Sequence, residues 1–158
     1  MDAPAVIDVR CSAIVFRDST VLLVHRGRDT VGDWVLPGGT PRPGESMVAC
    51  ARRETLEETG LFVYPARVAF VLEALGPASV CRTVDLVFLA APQKHREPES
   101  REPDLEARFV PLDELSGLDL RPPLAGHLRA LHARGGEPAA AYLGNLWRPP
   151  QNGRSRLV

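Results

Sequence analysis

Gly32-Asp-Trp-Val-Leu-Pro-Gly-Gly39, Thr40-Pro-Arg-Pro-Gly-Glu45 and Ser46-Met-Val-Ala-Cys-Ala-Arg-Arg53-Glu54-Thr-Leu-Glu57-Glu58-Thr-Gly60-Leu61 follow one another without a break. The stretch up to Gly44 is dense in Gly and Pro, which predicts mainly loop from Thr30 to Gly44. Ser46 to Thr59 holds neither residue and is rich in Ala, Leu, Glu and Arg, so it predicts a helix. Ser46 suits its N-cap, and Gly60 suits a left-handed C-terminal cap. On that helix Glu54, Glu57 and Glu58 stand at i, i+3 and i+4, so their carboxylates share one face. They repel one another, and the helix C-terminus disfavours anions as well. A cation is the natural compensation. Oxygen-only donors, with no His or Cys at ligand spacing, select Mg²⁺ first and Mn²⁺ second. Glu45 is a fourth carboxylate tethered near the same helix. Gly38 and Gly39 allow close backbone approach, and a loop entering a helix offers free amides to an anion. A glycine loop beside a carboxylate cluster favours phosphates bridged by metal.

Working outward, the chain has 158 residues, 44% hydrophobic and 25% charged, which suits one soluble globular domain burying roughly two-thirds of its unfolded surface. Nineteen basic residues against 20 acidic ones give a net charge of -1, which argues against a nucleic acid polymer as partner. A single nucleotide stays open. Cys11, Cys50 and Cys81 are widely spaced and form no CxxC pair, so buried reduced thiols in a cytoplasmic protein are expected. Met1 to Arg10 does not read as a signal peptide, and no apolar run approaches the roughly 20 residues of a membrane span. Eighteen of the basic residues are arginines, spread along the whole chain, which suits codon composition better than a binding patch.

Cys11 to Phe16 and Val21 to His25 are apolar and β-branched, and the polar Arg17 to Thr20 between them predicts a β-hairpin. Val68 to Leu75 and Val80 to Ala90 predict two more strands, with Glu73 set opposite Arg82 across a four-residue loop. Gln93 to Asp104 predicts a long loop, Ala107 to Val110 a final strand, and Pro111 to Leu115 a helical turn. A second helix is expected from Leu124 to Arg134, after Pro122-Pro123 and before Gly135-Gly136. Strands around two helices make an α/β protein with a mixed sheet. The domain is set at 1–136. The tail, 137–158, is expected to dock partly through Tyr142, Leu143, Leu146 and Trp147 and to fray from Gln151; a homodimer contact through Tyr142 and Trp147 stays open.

Gly39-x5-Glu45-x7-Arg53-Glu54-x2-Glu57-Glu58-x-Gly60-Leu61 is similar to the Nudix box, G-x5-E-x7-R-E-U-x-E-E-x-G-U, where U is apolar. All seven fixed positions agree, which chance would give at about one start position in 10⁸. Gly32-x-Trp34-x-Leu36-Pro37-Gly38-Gly39 and Arg108-Phe-Val-Pro-Leu-Asp-Glu-Leu115 resemble the family as well. Thr55 departs from it, standing where an aliphatic residue is usual; its γ-methyl can still pack. The resemblance implies a Nudix-type α/β/α sandwich with a mixed central β-sheet. It also implies Mg²⁺-dependent hydrolysis of a nucleoside diphosphate linked to a moiety X, by metal-activated water attack on phosphorus. Nucleoside triphosphates, nucleotide sugars and dinucleoside polyphosphates all qualify.

The same resemblance makes Glu54, Glu57 and Glu58 metal ligands, Glu45 an auxiliary ligand, and Arg53 the residue that orients the carboxylates. Gly38 and Gly39 would shape the loop. Glu54 or Glu57 would serve as general base, with Glu102, Asp104 and Glu106 as further candidates. Arg26 and Arg28, after the second strand, are candidates for phosphate or X. Asp85, inside an apolar strand with Thr83, Val87 and Leu89 on its face, needs a partner or lines the pocket. Trp34 is expected to pack the loop, and the four histidines have no ligand spacing. A nucleotide-sensing module without catalysis is the alternative; it predicts degenerate box glutamates, and none is degenerate. A diphosphate isomerase would need a further Cys or His apparatus that the box lacks.

Overall fold

The computed structural model describes residues 4–27, 32–79 and 81–149. In chain order the elements are β1 (Val6–Ile14), β2 (Phe16–Arg17), β3 (Thr20–Arg26), β4 (Asp33–Val35), β5 (Gly38–Gly39) and α1 (Met47–Thr59). They continue with β6 (Val63–Ala74), β7 (Cys81–Pro92), β8 (Leu105–Pro111), a 3₁₀ turn (Leu115–Gly117), α2 (Ala125–Ala133) and β9 (Tyr142–Asn145).

The predicted hairpin is corrected. Cys11 to Val15 are completely buried, and a strand apolar on both faces belongs in the middle of a covered sheet. β1 accordingly lies between β5 and β7, parallel to β7 over Val6↔Cys81 to Ile14↔Leu89. Only Phe16–Arg17 pairs with Thr20–Val21. The main sheet runs β5-β1-β7-β6-β9, mixing parallel and antiparallel neighbours. A second, antiparallel sheet centres on β3: β2 and β4 pair with its two ends, and β8 pairs with it from Thr20↔Pro111 to Arg26↔Leu105.

Alternation along β1 and β7 sorts the core into two layers. Cys11, Ala13, Phe88 and Ala90 face α1, packing with Cys50, Ala51, Leu61 and Val63. Ile14 and Val87 face the other way, into a cluster with Leu72, Leu124, Leu128 and Leu131 on the α2 side. A helix on each face makes the α/β/α sandwich. α1 begins and ends as the sequence predicts: Ser46 accepts the Ala49 N–H at 3.1 Å, and Gly60 has φ 71°. Thr55 is fully buried and donates its hydroxyl to the Ala51 carbonyl at 2.7 Å, which removes the cost of its polar atom.

Other boundaries shift. β6 starts at Val63, earlier than Val68, with irregular register around Pro65–Arg67 and Val68–Phe70. Proline, which cannot donate to a ladder, obscures that start in the sequence. Glu73 pairs in register with Val84, and Arg82 reaches it diagonally at 3.2 Å. β8 is not the final strand, because β9 adds to the sheet parallel to β6. A turn closes over Pro111–Glu114, the Glu114 N–H donating to the Pro111 carbonyl at 3.0 Å, and runs on into the 3₁₀ turn Leu115–Gly117. Leu143 and Leu146 pack against the α2-side core, while Tyr142 stays exposed with its hydroxyl donating to Glu73 at 2.7 Å. The tail from Gln151 lies outside the described residues. Among the described residues no helix is long and apolar enough to cross a membrane.

Candidate active site

The β5–α1 connection gathers the box residues around one guanidinium. Arg53, mostly buried on α1, donates through Nε and Nη2 to the two Glu45 oxygens at 2.7 and 2.9 Å. Its Nη1 donates to Glu54 at 2.7 Å and to Glu57 at 3.2 Å. The fork also reaches the Thr40 carbonyl at 3.3 Å, so it ties the loop to the helix. A planar, always charged donor with five N–H groups is the side chain that can serve three carboxylates at once. This arginine holds the Glu45 carboxyl down at about 2, and the carboxylates in turn raise the arginine.

Glu58 is different. It turns from the cluster towards the sheet, where the Gly38 N–H donates to it at 3.2 Å. Burial pushes its carboxyl up to about 7, against the opposing charge of Arg10, with Glu54 and Glu102 adding to the rise. Among the described residues no cation lies within ion-pair distance of it. A partly desolvated carboxylate left in that state gains from a positive ion.

The two glycines are dictated by contact. A Cβ on Gly39 would lie 2.4 Å from the Glu54 carboxylate carbon, and one on Gly38 2.5 Å from the Cys11 carbonyl oxygen. Gly38 thereby brings the loop flat against β1, while Gly39 leaves room for Glu54. Beneath them Cys50 donates to the Gly39 carbonyl at 3.4 Å, and burial pushes its thiol up to about 12, so it is an inert packing group.

Across the sheet from α1 lies a pocket of about 260 Å³. Asp85, Leu72, Pro122, Leu146 and Trp147 line it together with Arg10, Arg26, Arg121 and Arg148. Asp85 is 4% exposed. It accepts the Ser12 hydroxyl at 2.9 Å, with Arg10 Nε at 3.8 Å. Burial raises its carboxyl to about 6 despite both neighbours. Arg10 also donates to the Leu36 carbonyl at 3.0 Å. Since its charge acts on both Asp85 and Glu58, it is the link between pocket and acidic helix.

Of the residues singled out in the sequence, Glu45, Arg53, Glu54, Glu57, Gly38 and Gly39 come together directly, with Glu58 beside Gly38. Arg26 lines the pocket and pairs with Asp33; Asp85 lines it too. Arg28 lies outside the described residues. Glu102 is near enough for its charge to act on Glu58, whereas Glu106 sits exposed on β8, 3.8 Å from Arg108. Asp104 immediately precedes β8. Trp34 packs as expected, buried between His25 and Arg108. Arg10, Ser12, Arg121 and Arg148 were not singled out. Only Arg10 and Ser12 left a signal, sharing alternate positions on a strand whose other face is apolar.

Sequence comparison completes the picture: the sequence model of the NUDIX domain matches residues 7–133. The chain belongs to the NUDIX family. The human 8-oxo-dGDP phosphatase NUDT18 is 36% identical over 91 residues, which span 58% of this chain and 27% of the human protein. A NUDIX hydrolase from Nitrosomonas europaea shares the fold with a TM-score of 0.69 at 23% identity, covering 84% of this chain and 93% of its own. The MutT NUDIX hydrolase from Burkholderia pseudomallei is 32% identical, with a TM-score of 0.59 over 68% of this chain and 84% of its own. The sandwich implied by the box is thus the NUDIX fold, and Gly39 to Leu61 lies wholly inside the matched region.

Among the described residues no three His, Cys, Asp or Glu side chains already converge on one point; Arg53 holds three of the carboxylates apart from Glu58. The donor chemistry nevertheless fits a hard divalent cation. Every candidate is a carboxylate oxygen, and partly buried Glu58 feels only the distant charge of Arg10, with no described cation at ion-pair distance.

Proposed function

We propose that this NUDIX protein is a Mg²⁺-dependent pyrophosphohydrolase acting on a nucleoside diphosphate linked to X, with Mn²⁺ as a substitute ion. The observation that carries this reading is Glu58, a partly buried carboxylate that accepts the Gly38 N–H at 3.2 Å, next to three more carboxylates organised by Arg53. Glu54, Glu57 and Glu58 would hold the metal, with Glu45 as auxiliary ligand. When bound, the ion supplies charge neutralisation on the pyrophosphate oxygens and a more acidic water.

The protein side of the reaction follows from the contacts. Arg53 fixes the carboxylate directions, so Glu54 and Glu57 are poised before substrate arrives. Gly38 and Gly39 keep the floor of the site free of side chains. A water adds to phosphorus, the bridging phosphoanhydride P–O bond breaks, and the water's proton passes to Glu54, Glu57 or Glu102. The products are a nucleoside monophosphate and phospho-X. Arg26 and Arg28 would meet phosphate or X, and Asp85 would line the substrate pocket.

Product release measured over nucleoside di- and triphosphates, nucleotide sugars and dinucleoside polyphosphates, with Mg²⁺ against chelator, tests the proposal. The panel includes 8-oxo-dGDP, for which the human relative is named. Release that needs Mg²⁺ is expected for at least one class. Nucleotide binding without any release over hours would instead make the protein a sensor.

A further inference from the structure

The tail beyond residue 133, outside the matched NUDIX region, does more than cover the core. Two of its aliphatic side chains, Leu143 and Leu146, pack on that core. Trp147, the largest side chain of the segment, stays 41% exposed. Its position is nevertheless fixed from both sides. Asn145 accepts the Trp147 N–H at 3.1 Å and the Leu75 N–H at 3.0 Å, and donates to the Leu75 carbonyl at 3.1 Å. Leu146 N–H donates to the Glu73 carbonyl at 2.9 Å. Arg148 donates to Asp119 at 2.9 Å and to the Leu120 carbonyl at 2.7 Å, while Arg121 donates to the Arg148 carbonyl at 3.3 Å. The indole lies against Gly76, where a Cβ would come within 3.1 Å of it.

The backbone on both sides of the half-exposed ring is thus tied down, and the ring rests against Gly76 before any ligand arrives. It borders a pocket in which Val35, Leu72, Pro122 and Leu146 supply apolar surface beside the buried Asp85 carboxylate and four arginines, Arg10, Arg26, Arg121 and Arg148, a lining suited to a planar ring with polar edges carried by an anion. We propose that residues 142–148 form a specificity strap in which Trp147 stacks on the nucleobase of the substrate. The strap rests on the hydrolase reading for its place in the reaction, but the binding it predicts can be measured apart from turnover.

The test is a titration of the full chain with AMP, GMP, CMP and UMP in chelator, followed by tryptophan fluorescence, with ribose 5-phosphate as the ring-free control. At least one nucleotide is expected to quench the wild type. Trp147→Phe, which keeps Trp34, should lose the quench while retaining most of the affinity measured by calorimetry. Trp147→Ala should weaken that affinity roughly 5- to 100-fold, with ribose 5-phosphate affected equally little in every protein. In turnover, Trp147→Ala should raise KM for a nucleotide far more than it lowers kcat. Absence of quench by all four nucleotides, persistence of the quench in Trp147→Phe, or unchanged nucleotide affinity in Trp147→Ala would each overturn the strap. A wild type that binds nucleotide through Trp147 yet releases no product would overturn the hydrolase reading alone.

Discussion

The acidic face of α1 and the pocket across the sheet are both served by Arg10, yet they are made in opposite ways. The first is assembled from one continuous run, Gly38 to Glu58, in which Arg53 reaches Glu45, Glu54 and Glu57 within eight residues in either direction. The second draws Arg10 and Ser12 from β1, Asp85 from β7, Leu72 from β6 and Trp147 from the tail. Chemistry common to a family is compatible with local construction. Recognition, which differs among members, is built from parts that vary independently.

The comparison breaks most directly at Glu58. Glu58→Gln should lower Mg²⁺-dependent turnover by at least about 10²-fold, with circular dichroism and melting temperature preserved. Its stability is expected to hold or rise above neutral pH, because the raised carboxyl contributes most below its unfolded range and loses that contribution as pH passes about 7. Wild-type turnover in this variant would move the chemistry away from α1.

Asp85 probes the other side. Its carboxyl is raised from 3.8 to about 6 by burial, so the folded state binds the proton more tightly than the unfolded chain. Stability from this group is full below about pH 4 and is lost as pH rises through about 6, amounting to about 2–3 kcal/mol. Asp85→Asn removes that dependence. Denaturant unfolding of both proteins from pH 4 to 7.5 should therefore show their stability difference changing by that amount; parallel curves would show that Asp85 is not desolvated.

The junction between the regions is sharpened by its glycines. Gly38→Ala forces a Cβ onto β1 backbone, for an expected loss of about 1–3 kcal/mol in unfolding free energy. Gly39→Ala meets the movable Glu54 carboxylate instead, so turnover should fall while stability changes less. Equal destabilisation by both would erase the distinction. Smallest of all, Arg82→Ala removes a partly exposed pair with Glu73, and thermal unfolding should register no more than about 1 kcal/mol.

Much of the architecture was legible because it rests on local rules. Ser46 and Gly60 mark α1 through caps that depend on immediate neighbours, and Pro122-Pro123 with Gly135-Gly136 bracket α2. The place of β1 was not legible. Cys11 to Val15 reads as an apolar strand in either a hairpin or a central position, and only β7 and β5 on its flanks decide between them. Pro65 concealed the start of β6, and Tyr142–Asn145 has too little alternation to announce an edge strand. In the site, the carboxylates were legible from helical spacing. Arg10 was not, since nothing in its neighbourhood says that Leu36, Asp85 and Glu58 will surround it.

By itself the sequence determined the helix, its acidic face and the glycine loop before it, because 3.6-residue periodicity and caps act between residues a few positions apart. It also carried the box that places the chain in its family. Only the tertiary structure decided that Glu58 would turn inward to Gly38 and be partly desolvated, and that Asp85 would be buried beside Ser12. It also decided that the tail would return along β6 to set Trp147 at the pocket's edge. Those outcomes depend on strand order and on which faces of the sheet are covered, and such contacts between distant residues leave no period in the chain to be read.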